Sequence, residues 1–360
     1  MASAERDLLR STARDLVAAG VTRERRREVI GRPIPFDDVL WRRLSVETGL
    51  TGIAVPESCG GSGGSVADLA VVVGALGGEL ASVPYLSSVG WAAQAIIATG
   101  DEAAMHDLLP GLAAGTTIGV FASLRGDAPV AAVRDRVGWT LDGRLGLVVD
   151  APIADLLLLV AETPDGPYLF SVDVRSDGVD VTVLATLDLT RCAGTVALTG
   201  APARCIGDGD PRNAERISDL AVTLLAAEQV GGAQRALDLA VEHAKSRVQF
   251  GRAIGSFQAI KHLCADMLVL VESARSAAEN AAVVAEGSIP LSIAAGIAGS
   301  YCSEAFVRVA EDALHVHGGL GFTYEHDAHL YVRRARSDEQ LLGTPGQHRR
   351  RLADLHDRQM

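Results

Sequence analysis

Aromatic residues are scarce: Phe, Trp and Tyr make up 4% of the 360 residues. Alanine and aliphatic side chains must therefore fill the core, which suits closely packed helices. Cysteines number five, at 59, 192, 205, 264 and 302, with no C-x-x-C among them. The odd count and wide scatter exclude a disulfide framework and a zinc-finger site, and predict a cytoplasmic protein with free thiols. The chain lacks an excess of positive charge; its formal net charge is −12. That argues against a broad nucleic-acid or anionic-membrane footprint. The apolar runs at 69–76, 156–161 and 293–298 are far too short to span a bilayer. The first 17 residues are charged throughout, so no secretory leader is predicted. No strand leads into G-x-G-x-x-G and no Walker loop occurs, which disfavours Rossmann and P-loop nucleotide sites.

What the chain has is enough apolar residues, 48%, to bury a large core. Its length suggests two or three domains. Residues 1–115 read as helical: Leu8, Leu9, Ala13, Leu16 and Val17 fall on one face, and Ser65 with Asp68 forms a capping signal for a helix to about 81. Residues 116–207 change to short β-branched runs at 117–121, 138–141, 145–149, 156–160, 168–172, 179–183 and 194–198. Gly, Asp and Pro punctuate them, predicting an antiparallel sandwich or barrel. Residues 208–360 return to long helical patterns over about 211–247, 256–286 and 291–316, predicting a four-helix bundle. The fold class expected is multidomain α+β, ordered helix, sheet, helix.

Four segments then carry a resemblance. They are RVQFGRAIGSFQAIKHLCADM at 247–267, HVHGGLGFTYEHD at 315–327 with YVRRA at 331–335, IAVPE at 53–57 before the glycines of 60–63, and LDLTR at 187–191. In this order they resemble the acyl-CoA dehydrogenase family along essentially the whole chain. The resemblance implies FAD-dependent α,β-dehydrogenation of an acyl-CoA thioester, with a carboxylate base taking the α proton. It also implies that the last domain of one subunit holds the ADP end of its neighbour's flavin. Arg247 matches the pyrophosphate position, where a fixed charge with forked donors is suited. Phe250 matches the adenine contact, and Gln258 and His315 match polar contacts nearby. Gly318, Gly319 and Gly321 match a turn whose backbone approaches the ADP.

The departures are as informative. The family's glutamate precedes Gly-Thr near the C-terminus; here that position is Leu342, before Gly343 and Thr344. The alternative base position, early in the first helix of the last domain, registers on Ala221. Asp219, Glu228 and Glu339 are the carboxylates nearby in sequence, and Glu228 or Glu339 is where a relocated base would be sought. The stretch that contacts flavin and substrate from the sheet is ASLRGDAP at 122–129, and the hydroxyl expected against the flavin ring is replaced by Val149. The pattern resembles the non-catalytic partner subunit of actinobacterial heteromeric (α2β2) acyl-CoA dehydrogenases, many of which act on bulky CoA esters such as steroid side chains. Three readings result. A partner subunit predicts no activity alone; a self-sufficient homotetramer with a relocated base predicts one flavin per chain; a structural or binding protein of this fold predicts no flavin requirement.

Two weaker features complete the reading. His326 and His329, three apart, would share a helical face and could offer two metal ligands, but no carboxylate cluster supports that, and no metal is expected. The arginines at 333, 334, 336, 349, 350 and 351 read as a solvated or subunit-pairing face.

Overall fold

The computed structural model describes residues 3–122, 129–136, 138–287 and 290–357. The first helical region comprises α1 (Ser3–Gly20), α2 (Arg23–Ile30), α3 (Asp38–Arg42), α4 (Val66–Gly78), α5 (Ala93–Thr99) and α6 (Glu102–Ala113). A π-helical segment, Tyr85–Ala92, runs directly into α5. Side-chain oxygens cap the helices that need it: Thr22 on α2, Asp37 on α3 and Asp101 on α6. Ser65 and Asp68 form the reciprocal capping box that their spacing predicts. The helix they start ends at Gly78, three residues short of the expected end, because Leu80 adopts φ 51°.

The sheet is built from β1 (Gly119–Ala122), β2 (Ala131–Arg134), β3 (Trp139–Val149), β4 (Leu156–Thr163), β5 (Gly166–Asp173), β6 (Val179–Val183) and β7 (Ala193–Ile206). Its pairings close on themselves through β4–β2–β3–β7–β5 and back to β4, a barrel-like ring. Most pairs are antiparallel as expected, but β1–β4 and β2–β4 are parallel. The two strands read at 138–141 and 145–149 are one, β3, irregular in register opposite β7. The four leucines of β4 show how the ring is used. Leu156 and Leu158 join the core shared with the helices, while Leu157 and Leu159 fill the ring interior. Period-two alternation sends neighbours to opposite faces, and both faces are covered.

The last helical region comprises α7 (Pro211–Ser246), α8 (Gln258–Val284), α9 (Leu291–His317), α10 (Ala328–Asp338) and α11 (Pro345–Asp357). Asp210 caps α7, with Pro211 at its first position. Helix α7 packs against α9, α8 and, from the first region, α4. Its contact with α4 is glycine-dependent: a Cβ on Gly231 would sit 1.9 Å from the Gly74 carbonyl oxygen. One buried apolar cluster runs through residues of α1, α4, α5, β1, β4, α7 and α9, so the first and last helical regions share a core. A second cluster lies within the last region around Phe306, Leu330 and Tyr331.

Candidate functional site

Helix α7 ends at Ser246, and the chain enters a short hairpin of β8 (Val248–Gln249) and β9 (Arg252–Ala253). Phe250 and Gly251 form its tip at φ 52° and 75°, the left-handed pair of a two-residue type I′ turn. The turn lifts the Phe250 ring into solvent, where it is 92% exposed. Its edge meets Phe257, which also carries the Arg252 guanidinium 4.0 Å from its centroid. Arg247 is exposed at the base of the hairpin and has no carboxylate partner among the described residues. Gln258 opens α8 and is also exposed.

The second segment joins the first through stacked imidazoles. His243, one turn before Arg247, stacks on His317 with centroids 4.6 Å apart. His317 is the last residue of α9 and precedes Gly318. The ends of α7 and α9 therefore lie side by side, with Arg247 on one and the glycine turn on the other. His315 is exposed on the last turn of α9. The three glycines differ. A Cβ on Gly321 would meet the Leu314 carbonyl oxygen at 2.9 Å, so packing within the chain explains it. Gly318 has φ 58° and ψ −140°, a conformation essentially reserved for glycine. Gly319 has neither reason: its φ is not positive and nothing lies within 4 Å of its Cβ position.

The family's base positions look entirely different. Leu342 is 7% exposed and adopts φ 55°. Ala221 is 2% exposed, and its carbonyl accepts the Trp91 Nε1–H at 3.2 Å. Leu341, Leu342, Ala221, Val149 and Phe121 all belong to the core shared by helices and sheet. Residues 123–128 of the stretch expected to contact flavin and substrate lie outside the described residues.

The relocated-base candidates are both occupied. Glu228 accepts two hydrogen bonds from Arg191 (2.7 and 2.6 Å) and one from Arg334 (3.0 Å). Glu339 pairs with Arg336 at 3.0 Å. Glu228 belongs to a buried charge network that the sequence motifs conceal. Arg334 also binds Asp188 and Thr190, and Arg191 also binds Asp338. The LDLTR and YVRRA segments are thus joined to α7 by ions. Burial pushes the Asp338 carboxyl up to about 7, and one of its oxygens has no partner. Burial likewise raises Asp150, whose carboxylate accepts from Ser87 Oγ at 2.6 Å. At Asp188 burial acts the same way but Arg334 and Arg191 outweigh it, holding the group below its ordinary value.

Two expectations change. Helix α10 starts at Ala328, so His326 precedes it and does not share a helical face with His329. No group of three metal-ligating side chains occurs among the described residues. The C-terminal arginines are not simply a solvated face either: Arg334 is 1% exposed, and Arg336, Arg349 and Arg351 pair with Glu311, Glu304 and Asp219. Sequence reasoning missed His243 and Asp338 altogether.

These observations test the fit of FAD in two halves. At the nucleotide end the fit is good: an unpaired guanidinium, a protruding aromatic ring and a glycine turn with open space beside it. At the ring end it fails: Val149, Ala221 and Leu342 are packed into core. A cavity of about 550 Å³ lies elsewhere, between α1, α4, α7 and α8, and none of these residues lines it.

Comparison with known proteins gives matches along the chain. The family model described as "Acyl-CoA dehydrogenase, N-terminal domain" matches residues 3–116, and "Acyl-CoA dehydrogenase, C-terminal domain" matches 219–355. The acyl-CoA dehydrogenase IpdE2 of Mycolicibacterium smegmatis is 35% identical over 350 residues, 97% of this chain and 98% of that protein. In the ChsE4-ChsE5 complex from Mycobacterium tuberculosis, a chain superposes with TM-score 0.93 at 34% identity, covering 98% of this chain and 97% of that one. A chain in a variant of the Tcur3481-Tcur3483 steroid ACAD superposes with TM-score 0.92 at 32% identity, covering 98% of each.

Proposed function

We propose that this chain, which belongs to the acyl-CoA dehydrogenase family, is the non-catalytic subunit of a heteromeric, FAD-dependent acyl-CoA dehydrogenase. One observation carries the reading: the nucleotide end of the family's cofactor site stands open while the base position is a leucine buried in the core. The three units at 1–115, 116–207 and 208–360 then have separate tasks. The last presents the hairpin and glycine turn to a partner, and the first two scaffold it.

In this reading Arg247 donates charge-assisted hydrogen bonds to the pyrophosphate of a flavin whose ring lies in the partner. Phe250 covers the adenine end, Gln258 and His315 supply polar contacts, and the backbone at Gly318, Gly319 and Gly321 carries the turn along the phosphates. The chemistry the cofactor supplies when bound is acceptance of hydride from the acyl β carbon. The partner provides the base and the ring pocket, in an α2β2 assembly. Substrate is an acyl-CoA, and the similarity to a steroid enzyme supports a bulky acyl group. The complex is placed in the cytoplasm, supported by five scattered free cysteines; no helix among the described residues is long and apolar enough to cross a membrane.

The self-sufficient alternative would need a free carboxylate, and Glu228 and Glu339 are both engaged by arginines. Native mass spectrometry with a visible spectrum tests the proposal, on the chain alone and co-expressed with a family member that retains the base. The expected result is a colourless chain that gains flavin and a mixed-tetramer mass on co-expression. A yellow homotetramer with one flavin per chain and turnover of its own would overturn it.

A further inference from the structure

We propose that His243, His317 and His326 form a column of positioning residues that holds the nucleotide-end cradle together only while all three rings are neutral. The inference rests on the functional reading above for its ligand, but its first test does not.

The geometry is a continuous stack. His243 lies on His317 at 4.6 Å, and His317 lies on His326 at 4.2 Å. The column joins the end of α7, the end of α9 and the loop before α10. Arg247 and Gly318, the residues assigned to the pyrophosphate, sit one turn and one residue from its members. A backbone hydrogen bond fixes the neutral form of one ring, and burial of an unpartnered nitrogen favours it in a second. His326 Nδ1 accepts the Ala328 N–H at 3.1 Å, so that nitrogen must be unprotonated. His317 Nδ1 donates to the Ala313 carbonyl at 2.7 Å, and its Nε2 is buried without a partner, so no acceptor among the described residues would meet a proton there. Protonating His326 places an N–H against an N–H; protonating His317 places a second buried donor where none is met.

The surrounding charges point the same way. Arg247 faces the column from α7, and Arg23, Arg26 and Arg27 from α2. His329 lies beyond on α10. Two carboxylates answer them and both are already bound, Asp327 by Arg26 and Arg27 and Glu79 by Arg26. Burial, then the neighbouring imidazoles, holds His326 at about 4. Burial also keeps His317 and His243 below the ordinary value, with His317 and Arg247 adding to the effect at His243. A histidine with a lowered folded value contributes stability that is full above about 6.5 and lost as pH falls toward the folded value. The cradle should therefore loosen between about pH 6.5 and pH 4.

Hydrogen exchange on the full chain reads this directly, comparing the segments 243–258 and 315–330 at about pH 7.5 and about pH 5 after correction for intrinsic rates. A group moving from 6.5 to about 4 weakens the closed state by about 30-fold at about pH 5, and protection of these segments should fall by that factor. In His326→Asn the amide oxygen can take the Nδ1 place and accept the Ala328 N–H, but it does not titrate; the acid loss should shrink to a few-fold. No acid loss in the native chain, or the same loss in the variant, overturns the column. Should the variant fail to fold, nitrogen NMR of the native rings decides, since His326 Nδ1 must stay unprotonated down to about pH 5. In the co-expressed complex, acid release of flavin should follow the same pattern. A native complex with no flavin at neutral pH would sink the functional reading while the exchange result still judges the column.

Discussion

After α10 the chain buries a leucine at φ 55°; after α7 it exposes a phenylalanine at φ 52°. A bulky residue in the left-handed region costs on the order of 1 kcal/mol wherever it sits. Burial offsets the cost at Leu342 by about 2 kcal/mol. Nothing comparable offsets it at Phe250, which is 92% exposed and meets the Phe257 ring among the described residues. The proposed ring end is thus closed for reasons internal to this chain. The proposed nucleotide end is held open at a cost that an outside contact would explain.

The closed end should be the most fragile to attack. Arg334 is 1% exposed and bridges Asp188, Thr190 and Glu228. In Arg334→Ala the buried Asp188 loses its bound counter-charge and Glu228 is left with Arg191 alone, and the expected cost is about 4 kcal/mol, because breaking one partner of a buried pair is worse than never having had it. Urea denaturation measures it. A loss below about 1 kcal/mol would mean that the network is wet, and the contrast between the two ends would weaken. Leu342→Glu attacks the same end from the apolar side. It puts a carboxyl into core, at an expected cost of about 3 kcal/mol. It should create no acyl-CoA turnover, since Val149 and Ala221 still fill the ring end. Turnover from that single change would show that the end opens readily.

Arg247→Ala probes the open end, and the two readouts should separate. Stability of the chain alone should change by less than about 0.5 kcal/mol, because no partner is lost within it. Flavin retention in the co-expressed complex should weaken by about 2 kcal/mol, roughly 30-fold, as charge-assisted bonds to pyrophosphate disappear. Unchanged flavin content would remove Arg247 from the site.

Much of this contrast was legible in the sequence, and the part that was not has a common cause. The leucine before Gly343-Thr344 and the segment 247–258 could be singled out because each is local, but the hairpin that lifts Phe250 into solvent was not foreseen. The buried network could not: Arg191 meets Glu228 and Asp338 across 37 and 147 residues, and Arg334 meets Asp188 across 146. LDLTR and YVRRA were visible as segments that belong together, but not as the two sides of an ion bridge. The same blindness split β3. Asp142-Gly143 has the chemistry of a hairpin turn, yet the strand continues through it. The glycine is there because a Cβ would stand 3.1 Å from the Val130 Cα, a contact no local pattern announces. His326 and His329 failed for a boundary reason, since α10 begins between them.

The smallest effect is the sharpest, because its two readouts move in opposite directions. A type I′ turn prefers Asn before Gly, and asparagine tolerates left-handed backbone where phenylalanine does not. Phe250→Asn should therefore stabilise the chain alone, by about 0.5 kcal/mol, seen as a small rise in Tm. The same change removes the exposed ring that the adenine end is proposed to meet. Flavin retention in the complex should fall, by less than for Arg247→Ala, because an apolar contact is lost and not a charge. A variant that gains stability and keeps its flavin would leave Phe250 strained for no purpose. One that loses both would mean that the Phe257 contact already holds the hairpin, and the left-handed phenylalanine would then resemble Leu342 after all.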